Sequence, residues 1–104
     1  MTYYNKLVRD RIPAIMEKQD KSFTMWQAEK EEYPSYLKKK LVEEVGEFVE
    51  NPSLKELADV QEVVNAILKE MGYLQGDLRH ERATKIEAHG GFEQRWILGE
   101  VEDD

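Results

Sequence analysis

Glu43-Glu44-Val45-Gly46-Glu47, answered by Glu56-Leu57-Ala58-Asp59 beyond a break at Asn51-Pro52, decides both the fold and the chemistry of this chain. Glu44 with Glu47 and Glu56 with Asp59 are each spaced i, i+3. On an α-helix that spacing stacks two side chains on one face, one turn apart. An antiparallel αα-hairpin brings the two pairs opposite one another. Four carboxylates facing one gap repel unless a positive charge fills it. A hard divalent cation that takes oxygen ligands is the natural filler, Mg²⁺ first, with Mn²⁺ as a substitute.

Outward from the first pair, Leu37, Leu41, Val45 and Phe48 form one apolar stripe at helical spacing. Glu44 falls inside that stripe, Glu47 at its edge, and Glu43 is turned further away. A carboxylate aimed into an apolar seam costs roughly several kcal/mol unless it is paired or metal-bound. Glycine in mid-helix costs about 1 kcal/mol relative to alanine, so Gly46 implies a close approach by another backbone or a ligand. The plainer alternative is a solvated acidic face with one Glu paired to a lysine such as Lys40. Two acidic pairs on consecutive helices favour the metal.

Pro34 suits a helix N-terminus, which sets the central helix at about 34–50. Asn51-Pro52 ends it and Ser53 caps the next, to about Met71, with Leu57, Val60, Val64, Ile67, Leu68 and Met71 as its apolar face. Glu56 lies on the margin of that face. Ser53-Leu54-Lys55-Glu56 also spells a capping box, which would use Glu56 on the Ser53 amide. Asp59, past the first turn, has no such role.

The 104 residues imply one domain, 1–104, with a core modest enough that wide apolar helix faces call for a second subunit. A formal net charge of -7 argues against generic nucleic-acid binding, though not against a small anion arriving with Mg²⁺. There is no cysteine, hence no disulfide framework and no thiol nucleophile. No apolar run approaches a membrane span or a signal-peptide core, which makes the cytoplasm the default.

Residues 1–9 read as strand or coil. Asp10 is a candidate N-cap, and Pro13 fits the first turn of a short helix ending near Lys21. Lys6, Arg9 and Arg11 form a local positive cluster, as surface charge or as phosphate donors. Residues 22–32 suggest a loop or short strand, with Trp26 as core or as a base-stacking surface. Gly72 stops the second long helix, and Gly76-Asp77 open another at about 77–88. Arg82, Lys85 and His89 share one side of it. Trp96 to Val101 reads as a strand or packed extension, and Glu102-Asp103-Asp104 as a disordered end. The resulting expectation is an all-α antiparallel helical bundle with short extended termini.

Glu44-x-x-Glu47 followed by Glu56-x-x-Asp59 resembles the metal-binding signature of the all-α nucleoside triphosphate pyrophosphohydrolases of the MazG superfamily. Tyr4-Asn5-Lys6-Leu7-Val8-Arg9-Asp10-Arg11-Ile12-Pro13 looks like the opening of its phosphoribosyl-ATP pyrophosphohydrolase-like house-cleaning branch. Lys85 followed by Gly90-Gly91-Phe92 is similar to that branch's closing motif, with His89 standing where arginine is expected. The resemblance implies Mg²⁺-dependent hydrolysis of a common or modified nucleoside triphosphate to monophosphate and pyrophosphate. It implies Glu44, Glu47, Glu56 and Asp59 as metal ligands and Glu44 or Glu47 as the base. It also implies Lys6, Arg9, Arg82 and Lys85 on the triphosphate, and a homodimer or homotetramer without nucleic-acid or membrane partners. Phosphoribosyl-ATP as the substrate, and a non-catalytic acidic dimerisation module, are the alternatives.

Overall fold

The computed structural model describes residues 1–102; Asp103 and Asp104, in the acidic end for which disorder is expected, lie outside them. Four helices follow in order: α1 (Ile12–Lys18), α2 (Tyr33–Glu50), α3 (Leu54–Glu70) and α4 (Gln75–His89). There is no strand among the described residues, so the all-α expectation holds and the strand options at both ends do not. None of these helices is long and apolar enough to cross a membrane. The chain divides into two compact units, Met1–Gly72 and Tyr73–Asp104.

In the first unit, α2 and α3 pack against each other as the hairpin that the apolar spacing predicts. Pro34 stands in the first turn of α2, where its missing N–H removes no helical bond. After Asn51-Pro52, Ser53 adopts an extended conformation and its Oγ accepts the Glu56 N–H at 3.1 Å, which starts α3. Gly72, at φ 86, supplies the left-handed residue that ends α3. The seam between the helices is narrow: Leu37 (2% exposed), Val63 and Leu68 are the buried apolar side chains among the described residues. Two helices can cover only one strip of each other. Val45, Leu57 and Met71, assigned to the apolar faces from their spacing, therefore remain exposed.

Around this hairpin some local expectations change. Asp10 does not cap α1; Arg11 holds the N-cap position without a side-chain cap bond, and Asp10 lies in the preceding turn. Gly46 is exposed, and a Cβ built there meets nothing within 4 Å, so within one chain no backbone approaches it. Trp26 is 61% exposed rather than core.

In the second unit, Asp77 closes the start of α4 by accepting the Leu74 N–H at 2.8 Å. Leu78 is half-buried, and the remaining side chains of the helix are exposed. Gly90, at φ 81, ends it. Trp96, Ile97, Leu98 and Val101 are exposed and form neither a strand nor a packed extension.

Candidate metal centre

Glu44, Glu56 and Asp59 each present a carboxylate oxygen, and the three oxygens lie within 4.8 Å of one another. The hairpin brings this about: the later part of α2 faces the first turns of α3 across the Asn51-Pro52-Ser53 connection. Glu44 is only 7% exposed, because it interrupts the apolar stripe as its helical angle requires.

The partners of these carboxylates are few. Lys40 Nζ lies 3.2 Å from Glu44 Oε1, one helical turn earlier, and Arg9 Nη2 donates to Asp59 Oδ1 at 2.7 Å. Glu44 Oε2 and Glu56 Oε2 are buried and have no hydrogen-bond partner. A buried acceptor left unmet costs about 1–3 kcal/mol, and more when charged. Two of them gathered with a third carboxylate form an electron-rich cluster, with Lys40 and Arg9 each meeting one oxygen and two buried oxygens left unmet. The donor set consists of oxygens alone, which fits a hard divalent cation.

The capping-box question is resolved by these contacts. Ser53 Oγ takes the Glu56 amide, but among the described residues no bond returns from the Ser53 amide to the Glu56 carboxylate. Glu56 is free to turn its carboxylate toward Glu44 and Asp59.

Glu47 is exposed and is not one of the three, although its carboxyl interacts with that of Glu44. Its carboxyl is nevertheless held above the usual carboxylate range, first by the charge of Glu44, then by loss of water and by Glu56 and Glu43. Lys6 and Arg9 both reach the hairpin from the N-terminal arm. Lys6 Nζ meets Glu43 Oε1 at 2.7 Å, and Arg9 meets Asp59. Arg82 and Lys85 belong to the second unit, where both are exposed on α4.

Glu43, set aside from its helical angle, is half-buried and accepts from Lys6 at 2.7 Å and from Lys40 at 3.5 Å. Burial pushes its carboxyl up, but the two ammonium groups outweigh burial and hold it below the ordinary range. The i, i+3 spacing of Lys40 and Glu43 carries a signal for the second contact; nothing local carries one for the first.

No family model, no curated protein and no solved structure shows significant similarity to the chain.

Proposed function

We propose that the protein is a Mg²⁺-dependent nucleoside triphosphate pyrophosphohydrolase of the MazG type, releasing monophosphate and pyrophosphate. The observation that carries this reading is the pair of buried, unpartnered carboxylate oxygens on Glu44 and Glu56, gathered with Asp59. Buried ionic groups of this kind are often no more stabilising than apolar side chains of similar volume, so a role in holding a cation is the reading that accounts for them. The motif resemblance of residues 4–13 and of the acidic pairs supplies the reaction class.

Glu44, Glu56 and Asp59 are the ligands this chain offers a divalent cation. A cation bound there supplies charge against phosphate oxygens and a more acidic water. Phosphoryl transfer asks little covalent work of a protein and much positioning and neutralisation. Glu47, exposed one turn from Glu44, or Glu44 itself is the residue proposed to accept the proton of the attacking water. Arg9 and Lys6 can exchange their carboxylate partners for phosphate oxygens, which accept the same donors.

The chain works as a homo-oligomer in this reading. The buried apolar side chains are few, while Val42, Val45, Val49, Leu57 and Met71 of the hairpin are exposed. A second copy is the economical cover for that surface. Light scattering after gel filtration tests it: a monomer at micromolar concentration removes this part. The proposed cellular setting is the cytoplasm, where nucleotides and Mg²⁺ are supplied.

The activity is tested by incubating the protein and Mg²⁺ with a panel of common, oxidised and deaminated nucleotides and phosphoribosyl-ATP, with pyrophosphate detection. Release of pyrophosphate that disappears in Glu44→Gln supports the assignment. Metal binding with no turnover of any compound leaves a binding protein and ends the enzyme reading.

A further inference from the structure

The N-terminal arm is tied to both helices of the hairpin beside the acidic cluster. Lys6 Nζ meets Glu43 Oε1 on α2 at 2.7 Å, and Arg9 Nη2 meets Asp59 Oδ1 on α3 at 2.7 Å. Lys6 and Arg9 are three residues apart, a reach of roughly 10 Å at full extension. Leu7 and Val8 between them are half-buried, in an arm whose first nine residues are otherwise exposed. Residues 6–9 are therefore a seated strap with one end on each helix. The backbone at its far end is fixed as well, because the Ile12 N–H donates to the Arg9 carbonyl at 3.0 Å in the turn that opens α1.

The two ends hold different things. Glu43 is outside the cluster of three carboxylates, and Asp59 is a member of it. Arg9 thus donates to a carboxylate that a bound cation also needs. Lys40 does the same at Glu44, at 3.2 Å. These two side chains differ in how easily they let go. Lys40 is 14% exposed, springs from the rigid α2 one turn from Glu44, and also contacts Glu43. Arg9 springs from a coil segment and is 58% exposed, so its guanidinium returns to water at little cost.

We propose that Arg9 is a resident counter-ion of the cluster that leaves Asp59 when a divalent cation binds, unhooking the strap from α3 while Lys6 keeps it on α2. The inference rests on the metal reading of Glu44, Glu56 and Asp59. In the empty hairpin, Arg9 offsets the mutual repulsion of the three carboxylates at their more exposed member. Lys40 does so at the buried one. The guanidinium and the cation compete for one carboxylate and repel each other as like charges. Their linkage is reciprocal: whatever factor Arg9 takes from cation affinity, the bound cation takes from the hold of Arg9 on Asp59.

Calorimetric titration of Mg²⁺ into the full chain tests this, with no nucleotide present and no turnover read. Arg9→Met is expected to tighten Mg²⁺ binding about fivefold, the weight of one exposed ion pair. Lys18→Met removes the same charge from an exposed lysine that has no ion pair among the described residues. At 0.15 M salt it should change the affinity by less than about twofold, since distant charges are screened. In the unmutated chain, saturating Mg²⁺ should lower the heteronuclear NOE of the Arg9 Nε–H, as the side chain is freed. Mg²⁺ binding that is weakened by Arg9→Met, or tightened no more than by Lys18→Met, overturns the strap alone, as does an Arg9 NOE that bound Mg²⁺ leaves unchanged. Absence of Mg²⁺ binding in every variant overturns the metal reading and the strap together.

Discussion

Lys40 holds two carboxylates at once: its Nζ lies 3.5 Å from Glu43 Oε2 and 3.2 Å from Glu44 Oε1. Glu43 anchors the N-terminal arm through Lys6, and Glu44 opens the acidic cluster. The ammonium group, on a side chain 14% exposed, is thus the positive charge shared by both. Removing it leaves Glu44 buried without its ion pair. Lys40→Met is expected to destabilise the protein by about 2–4 kcal/mol in urea unfolding, since breaking a buried pair from one side strands the other charge. Glu44→Gln in the same chain should recover part of that loss. A single-mutant loss below about 0.5 kcal/mol, the range of ordinary surface changes, would show that the pair carries no such load.

On the proposed metal reading, the unmet oxygens of Glu44 and Glu56 would give divalent cations a preference for the folded chain. Mg²⁺ or Mn²⁺ should raise Tm, with about 2.7 kcal/mol of added stability at a concentration one hundred times Kd. Glu44→Gln, Glu56→Gln and Asp59→Asn should each remove most of the rise, and Glu50→Gln, exposed at the end of α2, should not. Differential scanning calorimetry with and without metal decides it. An equal rise in all variants would assign the effect to general screening of a chain of charge -7.

How much of this was legible follows from what leaves a local trace. The hairpin did, because Leu37, Leu41 and Phe48 recur at helical spacing and Asn51-Pro52-Ser53 breaks the run with a stop and a cap. Glu44 did, because a carboxylate within an apolar stripe is an anomaly of pattern. Glu56 was ambiguous: cap and ligand need the same residue at the same place, and only its side-chain direction separates them. The arm contacts left no trace. Lys6 and Glu43 are 37 positions apart, Arg9 and Asp59 are 50 apart, and a coil segment has no period from which such pairing can be inferred. Val45, Leu57 and Trp26 show the opposite failure, since apolar spacing marks a face for burial without saying whether this chain or another covers it.

Gly46 distinguishes those two covers. Open space surrounds its Cβ position, and its helix would gain about 1 kcal/mol from alanine. Gly46→Ala should therefore raise Tm if the residue stays exposed in the working assembly. If a second copy packs its backbone there, the same change should weaken association, seen as a shift toward monomer in analytical ultracentrifugation. A variant that alters neither Tm nor association contradicts both.

The arm should be held most firmly at pH values between the two titrations of its ion pair. Glu43 lies below its ordinary 4.5, so the stability it contributes is present above that pH and is lost as pH falls through the depressed value. Lys6 is raised above 10.5, chiefly by its hydrogen bond to Glu43 and against some loss of water. Its contribution is complete below 10.5 and is lost as pH rises through the raised value. Because Lys6 is 42% exposed, the pair is worth no more than about 1 kcal/mol, and salt reduces it. The arm is therefore expected to loosen before the hairpin unfolds on acidification. Chemical shifts of residues 4–7, followed by NMR from pH 6 to pH 3, should move toward random-coil values ahead of those of Leu37 and Leu68. Lys6→Met should show the shifted values already at pH 6. Simultaneous change in arm and hairpin would mean that the arm is part of one cooperative unit, and that the Lys6–Glu43 pair does not govern its docking.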